Sequence, residues 1–275
     1  MRDILAFCAD AHVFSPSVRY AAELAASLGA SLNGIHVSEA IPLSAPPGIP
    51  PSLLAEFVAY AQDTVQSAMF AGTRFKTWAH HLGVPSAQWH VALGDAIDAL
   101  AAAGNWNDVL VIERRVSMRE DSTELISELL LSGVPCIAVP EATNAIGRLE
   151  RIAVAFNGSQ SSIRALHAAI PLLRRATHVV LLQGVWGDPE AAPIASDRAF
   201  DPLEHLRKHA VAAAVEHLGT SETGVGDVIL KTASKRRVDL LVAGAEGKHR
   251  RGDCRLAPLP NLLLQGASMP LFMMR

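Results

Sequence analysis

The sequence predicts an α/β protein of two tandem, doubly wound domains, each with a five-stranded parallel sheet. The first observation is an internal repeat of roughly 135 residues in the 275-residue chain, which indicates a duplicated domain because solenoid repeats span about 20–50 residues. The second is that short apolar runs alternate with amphipathic segments, the order of a parallel sheet with right-handed crossovers. The third is that half of the residues are hydrophobic and 19% are charged, so each half can bury a core. The predicted domains are residues 1–142 and 149–275.

Each half contains a Gly-Asp pair that precedes a second Asp and a hydrophobic strand. Asp95 and Asp108 are 13 residues apart in the first half, and Asp227 and Asp239 are 12 residues apart in the second. Each half then closes on a proline followed by hydrophobic residues, as after Pro135. The two halves therefore share one order of elements.

The first half has the pattern βαβαβαβαβ. Ser15 and Pro16 are typical of a helix start and Gly29 of a helix end. The five prolines between Pro42 and Pro51 predict a loop. The predicted strands are residues 4–7, 31–37, 87–92, 109–112 and 136–139, and the predicted helices after the first are 53–75, 96–103 and 122–131.

The second half repeats this order with one predicted defect. Where the first half has its third strand, residues 220–225 are short and polar, so we expect strand three to be vestigial there. The other predicted elements are residues 151–156, 161–174, 179–185, 203–218, 228–234, 240–243, 259–265 and 271–274.

Composition and charge exclude several classes of protein. A formal charge of −3 gives no field for binding nucleic acid or an anionic membrane. No apolar run approaches the roughly 18 residues of a membrane-spanning helix, and the N-terminus lacks the apolar region of a signal peptide. Three scattered thiols, Cys8, Cys136 and Cys254, fit a reducing compartment. We expect a cytoplasmic protein with no nucleic-acid and no membrane partner.

The opening of the second half resembles the universal stress protein family. The strand at residues 152–156, the turn Asn157-Gly158-Ser159 and the helix that follows are similar to the family's opening strand, Asp-Gly-Ser turn and first helix. In its tandem form the resemblance covers essentially the whole chain and implies two domains of the adenine nucleotide alpha hydrolase-like fold. It also implies that the last strands of the two copies meet, an intrachain pseudo-dimer, and leaves a further homodimer open.

Family members that bind ATP share a glycine pattern after strand four: Gly, two residues, Gly, nine residues, then Gly-Ser or Gly-Thr. Such glycines let backbone N–H groups approach phosphate, and the helix N-terminus that follows favours the anion. Gly244 and Gly247 match the first part, but Ala257 and Pro258 replace the Gly-Ser pair. Two lost hydrogen bonds to phosphate, each about 1.5–3 kcal/mol, weaken binding by roughly 100-fold or more.

The resemblance places a nucleotide, ATP or AMP, in the second half only. Asn157 stands where the family usually carries an Asp near the base and ribose, and the basic run from Lys248 to Arg251 either contacts phosphates or is an ordinary solvated loop. The candidate nucleotide-binding residues are Phe156, Asn157, Val185, Ala243, Gly244, Gly247, Lys248, His249, Arg250 and Arg251. In the first half, Glu113 and Val116 occupy the two glycine positions, so we expect no nucleotide there. Ser122 and Thr123 are typical of a helix N-cap.

No catalytic or metal site is predicted. The histidines and acids after strand one fit a polar crevice, and the pair His80-His81 fits an ordinary surface. The sequence has no hydrolase or P-loop motif.

Two hypotheses about function stay open. The first is a stress-response protein that responds to an adenine nucleotide through its second half. The alternative is a regulatory or interaction module, or a binder of an apolar small molecule, that kept the fold and lost the ATP site. No enzyme is predicted, and weak ATP hydrolysis stays open as a third option.

Overall fold

A computed structural model of the chain describes residues 1–38, 50–116, 122–141, 147, 149–184, 201–219, 224–250 and 253–275. The first half comprises β1 (Asp3–Phe7), α1 (Pro16–Leu28), β2 (Ser31–Ser38), α2 (Pro51–His81), β3 (Ser86–Leu93), α3 (Ala96–Gly104), β4 (Val109–Arg114), α4 (Thr123–Leu131) and β5 (Cys136–Pro140). The second half comprises β6 (Arg151–Phe156), α5 (Gln160–Leu173), β7 (His178–Gln183), α6 (Pro202–Lys208), β8 (Ala213–His217), α7 (Val225–Lys235), β9 (Leu240–Gly244), β10 (Gly247–Arg250), β11 (Asp253–Leu256), α8 (Pro258–Gly266) and β12 (Leu271–Met274). The predicted α/β class is confirmed.

In the described part of the chain, ten strands form one sheet in the order β3-β2-β1-β4-β5-β12-β9-β6-β7-β8. The strands of each half are parallel to one another, but β5 and β12 pair antiparallel, with Phe272 opposite Ile137. The last strands of the two halves therefore meet, as the resemblance implied, and the halves share one continuous sheet.

Helices cover both faces of this sheet. On one face, α1, α2 and α5 bury side chains such as Tyr20, Phe75 and Leu172, and on the other α3, α4, α7 and α8 bury Leu100, Leu129 and others. Because both faces are covered, the central strands need continuous apolar runs, and all five residues of β5 are buried. Among the described residues, no helix combines the length and the apolar character needed to cross a bilayer.

The structure corrects two predicted helices. The predicted helix at residues 53–75 is longer, because α2 runs from Pro51 to His81. The predicted helix at 203–218 is wrong in its second part, since α6 ends at Lys208 and Ala210 adopts a left-handed backbone with φ of 58°. Residues 213–217 instead form β8, which is shorter than the eight-residue β3 but pairs with β7 along its whole length. The remnant of strand three was expected at residues 220–225; residues 220–223 lie outside the described residues, and Val225 begins α7.

One arginine from each half forms hydrogen bonds with a helix end of the other half. Buried Arg114, at the end of β4, donates from Nη1 and Nη2 to the carbonyls of Leu264 and Ala267 at the C-terminus of α8. In return, Arg275 Nη1 donates to the Leu131 carbonyl at the end of α4, at 2.7 Å. The last carbonyls of a helix lack intrahelical donors and attract positive charge, so both contacts are favourable. Burial lowers the pKa of the Arg114 guanidinium.

We expect Arg114→Met to destabilise the protein by about 2–4 kcal/mol, because it leaves buried carbonyls at the end of α8 without a donor. Urea unfolding followed by circular dichroism measures the change. Arg19→Met is the matched control, since the Arg19 side chain is 66% exposed and a surface change of this kind costs within about 0.5 kcal/mol. Equal unfolding midpoints for the two variants would contradict a structural role of Arg114.

Candidate functional site

The candidate site lies where the carboxyl ends of β6 and β9 meet the start of α5. Asn157 follows β6, and its Oδ1 accepts a hydrogen bond from Ser159 N at 3.1 Å. Gly158 has a φ of 76°, in the left-handed region that favours glycine. Ser159 then caps α5 by accepting from Ser162 N at 3.3 Å. The residues of the family-like turn thus direct the chain into α5.

Gly244, at the end of β9, packs directly against this first turn of α5. A Cβ at Gly244 would lie 2.6 Å from Ser161 Oγ and 2.6 Å from Ser162 N. These distances are far below ordinary van der Waals contact, and one of the opposing atoms belongs to the backbone. Ala243, one residue earlier, is buried. The packing of strand against helix therefore requires glycine at position 244.

Gly247 also has a packing role. A Cβ there would lie 2.5 Å from the carbonyl oxygen of Arg255 and 2.8 Å from Leu131 Cδ2. The first of these residues is on the adjacent strand β11, and the second is on α4 of the first half. Gly247 is thus at a three-way contact between two strands of a hairpin and a helix of the other half.

The segment that should cradle phosphate is a β-hairpin. Strands β10 and β11 pair antiparallel, from Gly247 opposite Leu256 to Arg250 opposite Asp253, and both strands contact α4. Lys248, His249 and Arg250 belong to β10, whereas Arg251 and Val185 lie outside the described residues. This hairpin was not predicted from the sequence.

Glu246 brings a carboxylate to the site, which the sequence analysis overlooked. Its Oε1 accepts a hydrogen bond from Ser161 Oγ at 3.0 Å, and its carbonyl accepts from Ala257 N at 2.7 Å. The side chain is exposed but is held beside the first turn of α5. A negative charge here opposes the approach of phosphate. The signal was present in the sequence, as an acid between the two glycines.

The first turn of α8 has few donors for an anion. Its N-cap residue, Ala257, offers no side-chain hydrogen bond. Pro258 and Pro260 have no N–H, so Leu259 is the one residue among the first three of the helix that carries a donor. The next amide, Asn261 N, already donates to the Ala257 carbonyl at 3.1 Å. A helix N-terminus binds phosphate through such amides, and most of them are missing.

The equivalent place in the first half contains an acid with its own partner. Glu113, near the end of β4, accepts a hydrogen bond from Arg115 Nε at 2.7 Å. Ser122 donates to the Glu113 carbonyl at 3.0 Å and accepts from Arg115 N at 2.8 Å. Ser122 is the N-cap residue of α4, as predicted, but its side chain makes no cap hydrogen bond. The Ser122 hydroxyl instead closes the loop that precedes the helix. Val116, at the second glycine position, is exposed.

The polar residues after β1 are occupied with local contacts. Asp10 Oδ1 accepts from His12 N at 2.6 Å, His12 Nε2 lies 3.1 Å from Ser67 Oγ, and His36 Nδ1 lies 2.8 Å from the Cys8 carbonyl. Burial raises the pKa of the Cys8 thiol to about 12. Among the described residues, no three His, Cys, Asp or Glu side chains come together as metal ligands.

A small cavity adjoins the candidate site. It has a volume of about 260 Å³ and is lined by Phe156, His167, Asp201 and His205, among others. The rings of His167 and His205 stack at 4.3 Å, and burial together with the charges of His167, His209 and Lys208 lowers the pKa of His205. Pockets for drug-sized ligands span about 300–1,000 Å³. At about 260 Å³, this cavity is therefore smaller than the usual pocket for a drug-sized ligand.

Comparisons with known proteins agree with this architecture. The model of the universal stress protein family matches residues 148–275. A universal stress protein from Archaeoglobus fulgidus superposes with a TM-score of 0.70 at 13% identity, over 99% of this chain and 98% of that one. A functionally unknown protein from Pseudomonas aeruginosa superposes with a TM-score of 0.56 at 13% identity, over 99% and 92% of the two chains. Curated protein sequences give no match. Residues 148–275 therefore belong to the universal stress protein family, and the chain as a whole shares the fold of the Archaeoglobus fulgidus universal stress protein.

Proposed function

We propose that this chain is a universal stress protein that acts as an interaction module without bound nucleotide. The observation that carries the proposal is the first turn of α8, where Pro258 and Pro260 remove two of the three leading N–H donors. The protein keeps the fold and acts through its surfaces, not as an enzyme. Residues 1–142 and 149–275 are its two domains.

The geometry around the glycines supports the same conclusion. Gly244 and Gly247 are each required by packing, against α5 and against β11 with α4. Their presence in the sequence therefore has an explanation that involves no phosphate. Glu246 adds a carboxylate at the mouth of the site. A cradle for phosphate combines donors with positive or neutral surroundings, and here the donors are few and an acid is present.

The second candidate function is adenine nucleotide binding in the second half alone. The observation that favours it is the run Lys248, His249 and Arg250, which places three basic residues in β10 beside Gly247. In this candidate, ATP or AMP contacts the predicted site residues around Asn157 and Gly244. A protein that binds ATP in this way could also hydrolyse it slowly. An assay of phosphate release with and without Mg²⁺ tests for this activity.

We expect titration of the protein with ATP, AMP or a fluorescent adenine analogue to give no saturable binding below about 1 mM, which corresponds to about −4.1 kcal/mol. Isothermal titration calorimetry and fluorescence anisotropy make the measurement. The variant Ala257→Gly/Pro258→Ser/Glu246→Gln, which restores the donors and removes the acid, is the comparison. A wild-type Kd in the micromolar range would overturn the proposal in favour of the second candidate.

Substitution of Gly244 separates packing from phosphate binding. We expect Gly244→Ala to lower stability by about 1–3 kcal/mol, because the added methyl forces the first turn of α5 to shift. Thermal unfolding with and without ATP measures it, at about 2–4 °C per kcal/mol for a chain of this size. Gly219→Ala is the matched control, since a Cβ there meets no atom within 4 Å. An unchanged Tm with loss of ATP binding would indicate a phosphate role instead.

A further inference from the structure

The two halves of the chain carry opposite formal charges. Residues 1–142 contain seven Lys and Arg and fifteen Asp and Glu, a formal charge of −8. Residues 143–275 contain 17 Lys and Arg and 12 Asp and Glu, a formal charge of +5. These add to the −3 of the whole chain. Because the halves lie at opposite ends of one sheet, the protein has a negative end that terminates at β3 and a positive end that terminates at β8.

A groove at the negative end, which we call the acidic groove, has a volume of about 850 Å³. It lies between α3 and the surface of β2 and β3. Three carboxylates line it, those of Asp3, Asp95 and Asp98, together with Trp106, which is 88% exposed. Asp95 caps α3, but Asp98 is exposed and has no ion pair with a described cation.

A groove at the positive end, which we call the basic groove, has a volume of about 770 Å³. It lies between the end of α7 and the surface of β7 and β8, and Arg151, Lys235, Arg236 and Arg237 line it. Arg236 pairs with Glu216. Within the described part of the chain, Arg151, Lys235 and Arg237 have no ion pair. The basic groove lies at the amino ends of its strands, whereas the acidic groove extends to the carboxyl end of β3, and the charges of the two grooves are opposite.

Strand directions determine how two copies could adjoin. The strands of each half are parallel and the halves join antiparallel through β5 and β12, so β3 and β8 run in opposite directions. Consider a second copy that is displaced within the plane of the sheet, at right angles to the strands and without rotation. Its β3 then lies antiparallel to β8 of the first copy. The amino end of β8 then faces the carboxyl end of the neighbouring β3. The two grooves also share a face, because α3 and α7 pack in the same core layer.

This displacement brings opposite charges together. Lys235 ends α7, and Arg236 and Arg237 follow it, at the amino ends of the second-half strands. Asp95 and Asp98 follow the carboxyl end of β3. A symmetric contact between two copies would instead place the acidic groove against another acidic groove, or the basic groove against another basic groove, and like charges across an interface are strongly unfavourable.

We propose that copies of this chain associate head to tail, with the basic groove and β8 edge of one copy against the acidic groove and β3 edge of the next. The contact is heterologous, so it continues into an open chain of copies unless the rotation between them closes a ring. Among the described residues, β3 and β8 each pair with a strand on one side only. Main-chain hydrogen bonds between these two outer edges give affinity, and the groove charges select the orientation. The association uses neither the glycine hairpin nor α8.

Sedimentation velocity over a concentration series tests this association. At low salt we expect the mean mass to rise with protein concentration, and at about 1 M NaCl, where the Debye length is about 3 Å, the association constant to fall at least ~10-fold. Wild-type protein that stays monomeric at low salt throughout the series overturns the proposal. So does association that is insensitive to salt.

Charge reversal tests the orientation. Asp98→Lys alone and Arg151→Glu/Lys235→Glu alone should each lose association, at least ~10-fold, because each variant has one impaired groove. An equimolar mixture should recover one contact per pair, because the unchanged basic groove of the first variant meets the unchanged acidic groove of the second. Lys76→Glu/Lys231→Glu is the control: these exposed residues line neither groove, and the net change in charge equals that of the basic-groove variant. Equal melting temperatures establish that the variants are folded. Failure of the mixture to associate, or an equal loss in the control, contradicts the head-to-tail contact.

Discussion

The antiparallel pairing of β5 with β12 is the interaction on which the rest of the structure depends. Each is the last strand of its half, and unpaired it would expose a row of backbone donors and acceptors along a hydrophobic edge. Pairing makes one ten-stranded sheet, with Ile137 and Phe272 fully buried at the junction. It also brings α4 and α8 close enough for Arg114 and Arg275 to reach the helix ends of the opposite half.

The same junction between the halves explains why the segment after Gly244 forms the hairpin β10–β11. Hairpin β10–β11 contacts α4, and Gly247 lies against Leu131 of that helix. Gly247 is constrained by this contact with the other half, whereas Gly244 is constrained by α5 of its own half. The conformation of the hairpin is then determined by the contact between halves, and Glu246 is held at the start of α5 as a consequence.

Most of the fold could be predicted from the sequence, because apolar runs, Gly-Asp turns and prolines before strands are local signals. Strand β8 could not be predicted, because residues 210–215 are alanine and valine and lie within the helix predicted at 203–218. Their strand conformation depends on pairing with β7, which is a tertiary contact. The hairpin lacked apolar alternation. For the site, glycine spacing indicated a phosphate loop, but the contacts of Gly244 with Ser161 join residues distant in sequence and depend on the tertiary arrangement.

Fusion of two copies in one chain has a physical consequence for the outer edges of the sheet. In a dimer of identical chains, symmetry gives both outer edges the same residues and the same charge, so edge-to-edge contact between dimers is repulsive. In a tandem chain each edge has its own sequence. The acids near β3 and the bases near β8 show that these edges have diverged in sign, while the inner strands that join the halves have both stayed hydrophobic. Such divergence is accessible only after the two halves are encoded separately, and it converts equivalent surfaces into complementary ones.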